Sequence, residues 1–297
     1  HSFLEYTELA FFLLVAMTYI NALEERNVFN SLKSWLIKNQ FSYRQLFWIT
    51  GVLAFFLSPL ADNLTTALVL CAVVVAVGSS SPKFVGLACV NIVVAANAGG
   101  AFSPFGDITT LMVWQAGQLD FLQFFALVIP SVVNYIIPAS IMHFFVSDHK
   151  PDVAETSVTI KYGGKTIILL GLLTIVTAVS FHNFLHLPPV FGMMTGLAYL
   201  QLYSFYIKIN VRDIEEQKYD FFENVARVEW DTLFFFFGVI LSVGGLGFIG
   251  YLEYVSEFMY TDLGATTANV LVGILSAIVD NIPVMFAVLT MEPAMPD

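Results

Sequence analysis

The chain has 297 residues, of which 58% are hydrophobic, 15% aromatic and only 12% charged, with a formal net charge of −11. Soluble domains carry about 25% charged residues, so a water-soluble globular domain is excluded and buried polar groups must be judged against lipid. Nothing in this charge balance calls for a nucleic-acid partner.

In chain order, a first span is predicted from about Phe3 to Leu23. An amphipathic connection over 24–44 follows, read as interfacial with solvated charges. Two apolar arms, Gln45 to Leu57 and Leu64 to Gly78, then flank Ser58-Pro59-Leu60-Ala61-Asp62-Asn63. Each arm is short for a bilayer, which takes about 20 residues, and this predicts a re-entrant helical hairpin with its tip in the membrane. The stretch from Phe84 to Gln115 is interrupted over 97–107, where Gly99, Gly100, Pro104 and Gly106 break the helix at membrane depth. Full spans are predicted at about Phe121–Val146, Thr166–Leu185, Pro189–Ile207 and Trp230–Ile249. A second hairpin, Ala265–Val279 with Ile282–Met291, has its tip at Asp280-Asn281-Ile282-Pro283.

All 12 Lys and Arg residues fall in segments 24–44, 79–83, 147–165 and 208–229, whereas 117–120, 186–188 and 250–264 carry none. The positive-inside rule places the basic segments in the cytoplasm. Two full spans over 45–78 would satisfy the same charge pattern, so arm length is what favours a hairpin there. Hairpin one then enters from the cytoplasmic side and hairpin two from the opposite side, the layout of an inverted repeat. Ser58-x-x-x-Asp62-Asn63-Leu64 matches Ser276-x-x-x-Asp280-Asn281-Ile282, and Glu5-Tyr6-x-x-Leu9-x-Phe11-Phe12 resembles Glu229-Trp230-x-x-Leu233-x-Phe235-Phe236. The expected fold is therefore an all-α polytopic membrane protein, an inverted-repeat ion-transporter fold with re-entrant helical hairpins and a broken transmembrane helix. Residues 1–146 form the first repeat, 147–208 a connecting loop and two spans, and 209–297 the start of the second repeat. At the 218-residue offset of the tips, a counterpart of the broken helix would fall beyond Asp297, so a C-terminally truncated fragment is expected.

A carboxylate at the bilayer centre costs roughly 2.5–3.5 kcal/mol on insertion scales. Asp62, Asp107, Asp231 and Asp280 lie in or beside broken or re-entrant segments, where freed backbone carbonyls suit cations. Asp62 and Asn63 are also good N-caps for the arm after the tip, and Asp107 for the half-helix after the break. Asn97, Thr109 and Thr110 add the neutral oxygens that hard cations accept beside a carboxylate. With no Lys or Arg inside the membrane, a carboxylate or phosphate substrate has no counter-charge. Cys71 and Cys89 read as small buried hydrophobes. His143, His182 and His186 sit near span ends without metal-ligand spacing, and no cofactor is called for.

These motifs resemble the NhaD-type sodium/proton antiporters of the wider ion-transporter superfamily. The residues carrying the resemblance are Ser58-Pro-Leu-Ala-Asp62-Asn63-Leu-Thr65-Thr66, the run from Asn91 to Thr110, Ser276-Ala-Ile-Val-Asp280-Asn281-Ile-Pro283, and the opening Glu5 to Arg26. The resemblance implies ion-binding roles for Asp62, Asn63, Asn97, Asp107, Thr109, Thr110, Ser276, Asp280 and Asn281, and matches Asp231 to an acidic family position. It implies exchange of sodium or lithium for protons by a multi-pass protein of the bacterial inner membrane, with the bilayer and a homodimer as its partners. Efflux of arsenite or another small solute on the same scaffold is the alternative. An intramembrane aspartyl protease would need two carboxylates sharing a proton, which Asp-Asn tips do not offer.

Overall fold

A computed structural model describes residues 2–39, 41–79, 81–150, 158–210 and 219–291. Among these the chain is helical throughout, without strands. Helix α1 (Ser2–Glu25) is followed by α2 (Val28–Lys38), whose Leu36 and Ile37 are buried while Lys38 stays exposed. Then come α3 (Tyr43–Ala61), α4 (Asn63–Val77), α5 (Pro82–Gly100) and the short α6 (Ile108–Gln115). A 3-10 turn at Phe121–Leu127 leads into α7 (Val128–His143). Helices α8 (Gly164–Leu185), α9 (Pro189–Asn210), α10 (Phe221–Ala226) and α11 (Trp230–Phe248) follow. Next are α12 (Tyr251–Ser256), a π-helical turn at Glu257–Asp262, α13 (Ala265–Ser276) and α14 (Asn281–Met291).

Seven helical segments among the described residues are long and apolar enough to cross a membrane. Large apolar side chains such as Phe184, Phe248 and Ile278 project outward, as lipid-facing positions do. These features make the chain a multi-pass membrane protein.

Predicted boundaries differ at the first hairpin. The first hairpin arm does not stop at Leu57: α3 runs on through Ser58 and Pro59 to Ala61, 19 residues, long enough to cross. Length therefore does not mark that arm as re-entrant. Proline removes only one intrahelical bond, that to the Phe55 carbonyl, and beside it Ser58 Oγ ties α3 to α5 by donating to the Ala96 carbonyl at 2.6 Å. The tip shrinks to the single residue Asp62. The 250–264 connection, noted in the sequence only for its lack of Lys and Arg, contains α12 and the π-helical turn.

The reading of the 24–44 charges as solvated is corrected at Arg26, while Glu24 and Lys38 are exposed. Arg26 is 1% exposed, lies 4.7 Å from the centre of the Tyr219 ring and bonds Glu25 at 3.1 Å. Glu25 in turn accepts from Asn224 at 2.6 Å. Of the basic residues in 208–229, Arg212 and Lys218 lie outside the described residues.

The buried side chains fall into two apolar cores. One joins α1, α6, α8, α9, α11 and α14, and the other joins α2 to α5 with α7. The break between α5 and α6 is where the chain passes from one to the other. Phe102 packs its ring, tilted, against Phe55 in the second core, and Phe105 does so against Phe12 and Trp114 in the first. Small residues bring helices close, as is common in membranes: Gly196 of α9 lies directly against Thr174 of α8.

Candidate functional site

Three segments meet around the broken helix. Asp62 alone links α3 to α4, at φ 55° and ψ 160°, a backbone region that is essentially glycine's. Its carboxylate accepts from Thr65 N at 2.9 Å and Thr65 Oγ1 at 2.7 Å, which caps α4. The adjacent Asn63 leaves that cap and reaches the broken helix. Its Nδ2 donates to Asn97 Oδ1 at 2.8 Å and to Asp107 Oδ2 at 2.6 Å.

The break itself is held open by side chains. Asp107 caps α6 through Oδ1, which accepts from Thr109 N and Thr109 Oγ1, both at 2.7 Å. Thr110 Oγ1 lies 2.8 Å from each of the Ser103 and Asp107 carbonyls. Ser103 Oγ donates to the Pro59 carbonyl at 2.9 Å, tying the break to the hairpin tip. Gly100 and Gly106 face each other across the break so closely that a Cβ on either would strike the other's backbone.

Opposite lies the second tip. Ser276, Asp280 and Asn281 share an open cleft of about 540 Å³ with Asn97, Asp107, Thr109 and Thr110. Asp280 accepts from Ile282 N at 2.9 Å and so caps α14. No Lys or Arg lines this cleft among the described residues. Nor does any group of three His, Cys, Asp or Glu side chains converge there or elsewhere among them. The donors are a mixed set of carboxylate, amide, hydroxyl and backbone oxygens, which suits a hard monovalent cation better than a transition metal.

The structure thus brings together Asn63, Asn97, Asp107, Thr109 and Thr110 by hydrogen bonds, and Ser276, Asp280 and Asn281 across the cleft. Asp62 adjoins the cluster through the chain, but its carboxylate is spent on Thr65. Asp231 sits exposed in the first turn of α11 and does not line the cleft. Sequence reasoning gave Glu229 no role beyond the repeat match; its carboxylate accepts from Thr232 at 3.0 Å, and it does not line the cleft either.

A family model described as citrate transporter matches residues 6–297. The chain is 55% identical over 316 aligned residues to the Na(+)/H(+) antiporter NhaD of Vibrio parahaemolyticus, covering 99% of this chain and 76% of that protein. It is 54% identical to the NhaD of Vibrio cholerae, with 99% and 66% covered, and 52% identical to that of Alkalimonas amylolytica, with 99% and 65% covered. The chain thus spans about two thirds to three quarters of these relatives' lengths. They are transporters rather than enzymes. With this similarity, the helical membrane architecture and the two Asp-Asn tips agreeing, the chain belongs to the citrate-transporter-type family of membrane carriers and, within it, to its NhaD branch.

Proposed function

We propose that the full-length protein exchanges sodium, or lithium, for protons across the bacterial inner membrane, using Asp107 and its neighbours as the shared site. The observation that carries this reading is the convergence of Asn97 Oδ1 and Asp107 Oδ2 on one point, now filled by the Asn63 amide at 2.8 and 2.6 Å. A cation at that point would be coordinated by a carboxylate and an amide oxygen, with the Thr109 and Thr110 hydroxyls and the Asp280-Asn281 tip close by. When Asp107 is protonated the site loses its charge and the cation leaves; when the cation binds, the proton leaves. That mutual exclusion is what an exchanger requires. The relatives' names as sodium/proton antiporters support the same reading, as does the inverted pair of tips, through which two repeats could expose the site alternately.

The family description raises citrate as a rival substrate. A tricarboxylate needs cationic or helix N-terminal partners; the cleft has no Lys or Arg among the described residues, and the α6 and α14 N-termini at it are already capped by the carboxylates of Asp107 and Asp280. The same lack weighs against other anions; neutral arsenite stays as the second reading.

The test is proton movement in proteoliposomes of the full-length protein with a trapped pH dye, with sodium, lithium, potassium, citrate or arsenite added in turn. Sodium- and lithium-driven proton flux is expected, and Asp107→Asn should reduce it to background while the protein still reconstitutes. Flux that persists in Asp107→Asn would move the site elsewhere, and uptake of citrate or arsenite without cation-driven flux would overturn the exchange reading.

A further inference from the structure

A second and larger cleft, of about 970 Å³, opens on the side whose connections lack Lys and Arg. Its rim comes from the start of α1, the end of α6, the α8–α9 turn and the end of α14. Helices α6 and α14 run between it and the ion cleft. Thr109 and Thr110 begin α6 in the ion cleft, and Gln115 ends it in the larger one; Asn281 and Thr290 do the same on α14. At 1.5 Å per residue the eight residues of α6 span about 12 Å, so the barrier between the two clefts is thin.

Met112 of α6 and Phe286 of α14 stand on its larger-cleft side. Both line the larger cleft, both are 6% exposed, and both belong to the same buried apolar cluster. Beside them, the Gln115 amide nitrogen is buried with no partner among the described residues, and buried polar groups of this kind are normally met by water or a ligand. The larger cleft therefore has a polar wall and an apolar floor, and beyond that floor lies Asp107.

We propose that this cleft is the aqueous route from the non-cytoplasmic face to the ion site, and that Met112 and Phe286 are the gate that closes it. A layer of side chains without polar atoms offers a cation nothing to replace its hydration shell, so a single apolar layer suffices. Movement of α14 relative to α6 would part the two residues and join the clefts. This assignment rests on the ion-exchange reading for its meaning, but it can be tested without it.

In the full-length protein with its native cysteines replaced, Thr290→Cys lies on the rim side of the gate and Ala101→Cys on the site side. A membrane-impermeant thiol reagent applied to the non-cytoplasmic face should label Thr290→Cys quickly and Ala101→Cys slowly. Minor open states are commonly populated at roughly 0.1–10%, so opening the gate with Phe286→Ala should raise the Ala101→Cys rate about tenfold or more. Thr290→Cys labelling should stay as it was. Met112→Ala serves the same purpose should Phe286→Ala not fold. Labelling of Thr290→Cys from the cytoplasmic face alone, or an Ala101→Cys rate unmoved by either gate variant, would overturn the proposal. Gate-dependent labelling without sodium-driven proton flux would sink the exchange reading and leave the gate standing.

Discussion

Asp62 and Asn63 are neighbours with separate tasks. Asp62 holds a backbone conformation that costs of order 1–3 kcal/mol for a residue with a Cβ, and it recovers part of that cost through its two bonds to Thr65. A glycine there would be relaxed, yet it would bring neither cap nor carboxylate. The two effects can be separated. Asp62→Ala keeps the strain and loses a cap worth about 1 kcal/mol; Asp62→Gly loses the cap but relieves the strain. In detergent, Asp62→Gly is expected to melt above Asp62→Ala, by the equivalent of about 1–2 kcal/mol. Equal melting temperatures would show that the positive φ carries no cost. Asn63 was legible as half of an Asp-Asn tip. That it, rather than Asp62, makes the hydrogen bonds to the broken helix depends on which way the two side chains leave the turn, and no pattern in the sequence encodes that.

At the scale of elements, the close contact of α3 with α5 places the tip. Pro59 leaves the Phe55 carbonyl without its helical donor, and Gly99 of α5 lies directly on that carbonyl; a Cβ at Gly99 would run into it. Gly99→Ala must therefore push α5 away from α3, moving Asn97 with it. A loss of about 1–3 kcal/mol is expected, as for other overpacked interiors. It would be read as a lower melting temperature together with weaker sodium dependence of transport. Unchanged melting would mean that α3 and α5 are free to separate at this point. The break was readable from Pro104 and Gly106, but it begins later than the expected 97: α5 keeps Asn97, Gly99 and Gly100 helical and ends at Gly100. Pro59 misled because a single proline near a helix end looks like a terminator, whereas here Ser58 bonds across to Ala96 and the helix continues. The α12 and π-helical segment had no cue beyond a polar, aromatic composition that fits a loop equally well.

Across the whole molecule, the two apolar cores meet at residues 102–105, so the proposed ion site lies where they join rather than within one. This was not legible in the sequence, where α5 and α6 read as one interrupted span. A second tie lies at the end of α1. There Arg26 is enclosed by Glu25 and the Tyr219 ring, and Asn224 binds both Glu25 and, through its backbone carbonyl, Asn21. It fastens the end of α1 to α10, just before α11 begins. Removing one partner of a buried ion pair typically costs about 3–5 kcal/mol, so Arg26→Gln is expected to lower the melting temperature markedly. Tyr219→Phe should behave differently. Its ring still faces the guanidinium, and its buried hydroxyl has no hydrogen-bond partner among the described residues. Burial, reinforced by the Glu25 carboxylate, pushes the Tyr219 phenol above its ordinary value, with Arg26 opposing. A phenol raised on folding contributes stability that is complete below about pH 10 and is lost as pH rises through its folded value. Melting curves at increasing pH should therefore show Tyr219→Phe matching the parent near neutrality and losing less stability above about pH 10. Parallel decline of the two proteins would place the alkaline weakness outside this knot.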